Sequence, residues 1–181
     1  MTKRPKKTTT RSTKAGATKA KKKAAAPAKP AKKTRVASKT PASSSYRCFV
    51  MKSEPYVYSF DQLLADGRTV WDGVRNYEAR NTLRSMKKGD LLLYYHSNEG
   101  LEIVGLARVA REAYQDPTTD EDWSAIDVEP IKKLRKPVSL ATIKAHPLLS
   151  KMALVRRNRI SVTPVTDAEL AAVLKLADTK L

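Results

Sequence analysis

The 181-residue chain has one cysteine, Cys48, and two histidines, His96 and His146. A single thiol excludes an intramolecular disulfide framework and a cysteine-rich zinc site, and it suits a reducing compartment. Cys48 itself lies in the apolar run CFVM and reads as a buried structural thiol. Two histidines without HExxH or paired spacing give no support to a catalytic metal centre, so neither a metal nor a cofactor is assigned. No run approaches the ~20 apolar residues of a membrane span. The charged N-terminus is never followed by the apolar stretch of a secretory signal, and it lacks the amphipathic Arg- and Ser-rich character of a transit peptide. P-loop, GxGxxG and GxSxG patterns are missing too, which removes the usual support for a nucleotide-cofactor enzyme.

The sharpest shortage is of negative charge at one end. Residues 1–45 contain no Asp or Glu but hold 15 of the 36 Lys and Arg residues, leaving 21 basic residues against 18 acidic ones in 46–181. The net charge of +18 is therefore +15 in the first segment and +3 in the second. The first segment is built from Lys, Ala and Pro and cannot bury enough apolar surface to offset its conformational entropy, so it is expected to be a disordered tail. Spaced lysines without acidic partners, among them Lys21, Lys22, Lys23, Lys32 and Lys33, suit non-specific neutralisation of phosphates. Its composition resembles the tails of linker histones and bacterial histone-like proteins. Residues 46–181 are long enough for one domain with its own core.

Within that domain the pattern is α+β. Arg47 to Lys52 reads as a short buried strand stopped by Ser53-Glu54-Pro55. Ser59, with Gln62 three residues on, has the capping-box pattern of a short helix ending by Gly67. Glu78 to Met86 allows a turn or two of helix. Leu91 to Ser97 is a strand buried on both faces, and Asn98 to Gly100 is hairpin chemistry. Leu101 to Tyr114 could be an amphipathic helix, but Ile103-Val104-Gly105 favours a long bent strand with a bulge at the glycine. A further strand is expected over Trp123 to Lys133, and a short helix over Ser139 to Ala145. Leu148 to Val155 is a second helix or an irregular turn. Ile160 to Val165 reads as an edge or terminal strand because of Pro164. Thr166 or Asp167 caps the last helix, Ala168 to Leu176. Five or six strands with short helices and no βαβ rhythm fit a small closed or partly closed β-barrel.

The stretch WDGVRNYEARN, Trp71 to Asn81, holds an indole, a phenol, two guanidiniums, two amides and a glycine where a plain connection needs none of them. A site that takes one base out of a stack needs a π face, polar groups for the base edge and cations for flanking phosphates. Trp71 and Tyr77 can supply the first, and Ser53, Asn76, Asn81 and Ser97 the second. Arg75, Arg80, Arg84, Arg156, Arg157 and Arg159 can supply the third, the last three crowding into VRRNRIS. Gly73 allows either close approach of a ligand to the backbone or a positive φ.

MKSEP (Met51–Pro55), WDGVRNYEARNTLRSMKKGD (Trp71–Asp90), YYHSN (Tyr94–Asn98) and RNRISV (Arg157–Val162) stand in the order and spacing of the EVE domain, and the chain from Arg47 onward resembles that PUA-like family. The resemblance implies a PUA-like β-barrel related to the YTH, ASCH and SRA folds, and a reader of modified bases in DNA or RNA with its pocket at the barrel mouth. It implies pocket positions at Lys52, Ser53, Glu54, Trp71, Asp72, Gly73, Val74, Arg75, Asn76, His96, Ser97, Arg159 and Ser161. Ile160 stands where the family more often has Leu, a swap that leaves the site undisturbed.

The expectation is a monomeric, non-enzymatic nucleic-acid reader, with Arg80, Arg84, Arg156, Arg157 and the tail lysines on phosphates. It would be cytoplasmic and nucleoid-associated, or nuclear in a eukaryote, with no membrane partner. The alternatives are an RNA-processing or modified-nucleotide-acting enzyme using Glu54 or His96 as acid or base, and a nucleoid-compacting polycation with the domain as passenger.

Overall fold

The computed structural model describes residues 47–181; the basic segment 1–45, with Lys21, Lys22, Lys23, Lys32 and Lys33, lies outside the described residues. In chain order the elements are β1 (Cys48–Ser53), α1 (Phe60–Asp66), β2 (Thr69–Trp71), α2 (Tyr77–Ser85), β3 (Leu91–His96), β4 (Glu102–Gln115), β5 (Ser124–Ser139), α3 (Leu140–Ala145), a 3₁₀ turn at Leu149–Lys151, α4 (Ala153–Arg156), β6 (Val162–Val165) and α5 (Asp167–Leu176). The strands form one mixed sheet in the order β2-β5-β4-β3-β1-β6.

β1 and β3 lie side by side in parallel, Cys48 opposite Leu91 and Ser53 opposite His96. A parallel pair needs a crossover, here the segment α1-β2-α2. Both strands are apolar almost throughout because both faces are covered. Cys48, Val50, Leu91, Leu93 and Tyr95 pack against α3, the 3₁₀ turn and α5, while Phe49, Met51, Leu92 and Tyr94 pack under α1 and α2. β6 runs antiparallel to β1 at the sheet edge, and Pro164 sits opposite Phe49. An edge tolerates the missing amide hydrogen.

Leu101 to Tyr114 is strand rather than helix. The β3–β4 and β4–β5 registers shift at Tyr94/Tyr95 and between Ile103 and Gly105, and the Phe60 ring occupies the space where a side chain at Gly105 would stand. One expected bound needs correction, and one of the six strands has no counterpart in the sequence pattern. The strand expected to end at Lys133 continues to Ser139, because Leu134 and Val138 go on being buried between the exposed cations. A three-residue strand, β2, pairs Thr69, Val70 and Trp71 with Val128, Asp127 and Ile126; it is too short to show a period in the sequence.

The sheet curls strongly. β5 and β4 separate β2 from β3, a spacing of ~14 Å in a flat sheet at ~4.8 Å per strand. Yet the rings of Trp71 and Tyr94 lie 6.1 Å apart. The apolar layer under α1 and α2 fills the inside of this curl, and the ladder stays open between its edges, β2 and β6. No described helix is long and apolar enough to cross a membrane. Among the described residues, no three His, Cys, Asp or Glu side chains are grouped so as to hold a metal ion.

Candidate nucleic-acid interface

The curl brings the end of β1 opposite β2, and a cleft of about 440 Å³ opens between them. That lies within the ~300–1,000 Å³ of small-molecule sites. Lys52, Ser53, Glu54, Val57 and Tyr58 form one wall, and Thr69, Val70, Trp71 and Asp72 the other.

The first wall is a tight turn imposed by Pro55. The amides of Val57 and Tyr58 both donate to the Glu54 carbonyl at 2.9 Å. The Tyr58 carbonyl in turn accepts from the Ser53 hydroxyl at 2.7 Å and from the Tyr94 hydroxyl at 2.8 Å. Burial pushes the Tyr94 phenol up to about 12, so it stays a donor. The Lys52 ammonium, whose pKa is lowered by burial, donates to the Asn158 carbonyl at 2.8 Å, and the Lys52 amide donates to the Ser161 carbonyl at 2.9 Å. Glu54 accepts from the Asn98 side chain at 2.5 Å and from the Tyr56 hydroxyl. On the second wall Trp71 is half-buried, its ring edge-on to Tyr94.

Of the residues the sequence pointed to, Lys52, Ser53, Glu54, Trp71 and Asp72 line this cleft. His96 and Ser97 stand beside Ser53. Ser53 pairs with His96 in the ladder, and the Ser97 amide donates to the Ser53 carbonyl at 2.8 Å. Burial lowers the pKa of His96, and its Nε2 accepts the Phe60 amide at 3.2 Å, so its free nitrogen carries the proton and the ring helps start α1. Ser161 meets Lys52 through its carbonyl, while Arg159 is exposed on the turn before it.

The run after Asp72 has a different place. Gly73 takes φ 68°, the left-handed conformation that glycine adopts without strain. Its amide donates to Asp116 at 3.1 Å, and Arg75 reaches the same carboxylate at 2.7 Å and Thr118 at 3.1 Å. Asp116 is fully buried. Burial raises its pKa, but the bonds from Thr118, Arg75 and Gly73 outweigh that and hold it well below the usual carboxylate range. Val74 is buried under α2, and Asn76 caps that helix by accepting the Ala79 amide at 3.0 Å. These four residues hold the strand-to-helix connection behind Trp71 and do not line the cleft.

The arginines are mostly paired. Arg80 donates to the Asp122 carbonyl at 2.8 Å and to its carboxylate at 3.0 Å. Arg84 meets the same carboxylate and donates to Ser124 at 2.8 Å, and Arg157 pairs with Glu78. Arg156 is exposed on α4. Tyr77 stacks on Trp123 with ring centroids 4.9 Å apart, and the Arg80 guanidinium lies 5.0 Å from the Tyr77 ring centre.

Sequence reasoning missed Val57, Tyr58, Thr69 and Val70 in the cleft, and it missed Asp116. The only signal for the first four was proximity to the EP turn and to Trp71. What the cleft offers chemically is the indole of Trp71 and the ring of Tyr58, the hydroxyls of Ser53, Tyr58 and Thr69, the carboxylates of Glu54 and Asp72, and the Lys52 ammonium within a mixed polar and apolar recess. That suits a flat, polar-edged ring.

The EVE domain signature matches residues 47–176. Human thymocyte nuclear protein 1 is 36% identical over 165 residues, spanning 72% of this chain and 73% of the relative. The NMR structure of Rpa0253 from Rhodopseudomonas palustris superposes with a TM-score of 0.71 at 45% identity, covering 73% of this chain and 93% of that one. A crystal structure of the human THYN1 protein in complex with 5-methylcytosine containing DNA superposes with a TM-score of 0.67 at 33% identity, covering 75% of this chain and all (100%) of that one.

Proposed function

The chain belongs to the EVE domain family, and on that premise we propose that it is a non-enzymatic nucleic-acid-binding protein whose cleft takes a modified base, methylated or hydroxymethylated, from DNA or RNA. The observation that carries this reading is the half-buried Trp71 standing across a cleft of about 440 Å³ from Lys52, Ser53 and Glu54. A base laid against the indole gains stacking worth about 1–3 kcal/mol. A methyl group adds only about 0.8 kcal/mol of transfer energy, so the preference for a modified base is modest. The human relative captured with 5-methylcytosine DNA supports the same ligand class.

The polar groups favour binding over catalysis. The Ser53 hydroxyl is donated to the Tyr58 carbonyl, and His96 Nε2 is occupied by the Phe60 amide. Neither is positioned as a nucleophile with its base. The Lys-rich segment 1–45 adds sequence-blind contacts to phosphates, and the protein works where the nucleic acid is: the nucleus of a eukaryote or the nucleoid of a bacterium.

The test compares the full chain with its Trp71→Ala variant on paired oligonucleotides that differ only in one modified base. The variant is expected to lose the preference while keeping most of its affinity for the unmodified strand. Equal loss on both oligonucleotides, or an undiminished preference, would overturn the reading.

A further inference from the structure

A second cleft, of about 590 Å³, lies between β5 and the end of the chain. Lys132, Lys133 and Arg135 face it from β5, and Lys175 and Lys180 from α5 and the segment beyond. The two sides are fastened to each other. The Lys136 amide donates to the Ala177 carbonyl at 3.1 Å, and the Arg135 amide to the Thr179 hydroxyl at 3.0 Å. That hydroxyl donates to the Ala177 carbonyl at 2.9 Å, and the Thr179 amide to Leu174 at 3.0 Å. The cations are thus carried on a strand and on a turn stitched to it.

Very little negative charge answers them. Asp178 is the one carboxylate lining the cleft, and its contact with Arg135 is a long 3.5 Å, with the two side chains 63% and 75% exposed. Lys133 pairs with Asp61 on α1. Among the described residues, Lys132, Lys175 and Lys180 have no carboxylate partner. Several arginines nearer the first cleft differ in this respect: Arg75, Arg80, Arg84 and Arg157 are each held by an acid. Like charges gathered in one concavity repel each other and concentrate counter-ions, and a polyanion relieves both effects.

We propose that this cleft binds the phosphodiester backbone of the nucleic acid whose base enters the Trp71 cleft. The proposal rests on the nucleic-acid part of the function proposed above and not on base selectivity. α1 joins the two sites: it begins two residues after Tyr58, a wall of the first cleft, and its Asp61 holds Lys133 at the rim of the second.

The experiment measures the affinity of the full chain for a modified and an unmodified duplex of equal length across a salt series. It compares the wild type, the triple variant Lys132→Ala, Lys175→Ala, Lys180→Ala, and a control triple, Lys88→Ala, Lys144→Ala, Lys151→Ala, which removes the same charge elsewhere. Each lost phosphate contact lowers the slope of log affinity against log salt by about 0.9 on duplex DNA. The cleft variant is expected to lose about 2 to 3 in slope, well beyond the control, with the ratio of modified to unmodified affinity unchanged. A loss no greater than the control's overturns the proposal. If the wild type shows no preference for the modified duplex, the base reading fails, and the slope comparison still decides this one.

Discussion

Trp71 and Tyr94 meet edge to face, with ring centroids 6.1 Å apart and planes at 81°, although two strands separate their own in the sheet. The hydroxyl of the same Tyr94 donates to the Tyr58 carbonyl at 2.8 Å. One buried side chain therefore touches both walls of the cleft, the indole on one side and the turn after Pro55 on the other. Phe60 packs on the Tyr94 ring at 5.2 Å and closes the space behind it. The separation of the walls is thus set by the core and not by the exposed loops.

Asp116 is the anchor of the connection behind Trp71. Its two oxygens receive the Gly73 and Arg75 donors on one side and the amide and hydroxyl of Thr118, at 2.8 and 2.6 Å, on the other. Asp116→Asn puts an amide nitrogen among those donors and is expected to cost about 1–3 kcal/mol at neutral pH, read from the urea midpoint. Because the folded pKa lies below the unfolded value of about 3.9, the carboxylate's contribution is complete above that value and fades as the pH falls toward the folded pKa. The gap between wild type and variant should therefore be smaller at pH ~3 than at pH ~7. A gap independent of pH would mean that the charge on Asp116 is not what stabilises.

Features carried by adjacent residues were the legible ones. Ser59 caps α1, accepting the Gln62 amide at 3.1 Å. The reciprocal half of the expected capping box is not made, because the Gln62 side chain donates instead to Asp66 at 2.7 Å. A full box occurs instead at the start of α5, with Thr166 and Glu169 each accepting the other's amide. The β-branched pair Ile103-Val104 and the adjacent glycine were enough to separate strand from helix in β4. Features that depend on distant partners were hidden. Arg80 and Arg84 look like free cations until Asp122 folds against them, and Asp116 is one acid among several in its loop. Lys132 and Lys133 close the strand expected over Trp123 to Lys133 and give no sign of a cleft until the C-terminal turn is laid beside them. In the cleft, Lys52, Ser53, Glu54 and Trp71 were legible from their motifs, whereas Thr69 and Val70 required the strand that the sequence did not reveal.

His96 ties stability to mild acid. Burial lowers its pKa below the ordinary 6.5, and its Nε2 must be unprotonated to accept the Phe60 amide. The unfolded chain then takes up the proton first, so the contribution is complete above pH ~6.5 and is lost as the pH falls through the folded pKa. The urea midpoint is expected to be lower at pH ~5.5 than at pH ~7.5, with a smaller difference in His96→Gln. An equal difference in both proteins would assign the pH dependence to other groups.

Gly105 and Phe60 share one space. A Cβ on residue 105 would stand closer than 3.0 Å to three carbons of the Phe60 ring. That ring cannot retreat cheaply, since Phe60 is 1% exposed, its amide is bound to His96, and its face is packed on Tyr94. Replacing glycine by alanine restricts the unfolded chain and contributes about 0.4–1 kcal/mol in favour of folding. Overpacking a filled core costs about 1–3 kcal/mol, so the clash is expected to win and Gly105→Ala to lower the urea midpoint. Phe60→Leu removes the two ring carbons that would stand nearest, Cε1 and Cζ, and so eases the clash. On the Gly105→Ala background it should therefore cost less than it does on the wild type, the coupling that residues in contact show. Strictly additive effects of the two substitutions would mean that the ring does not hold the position at residue 105.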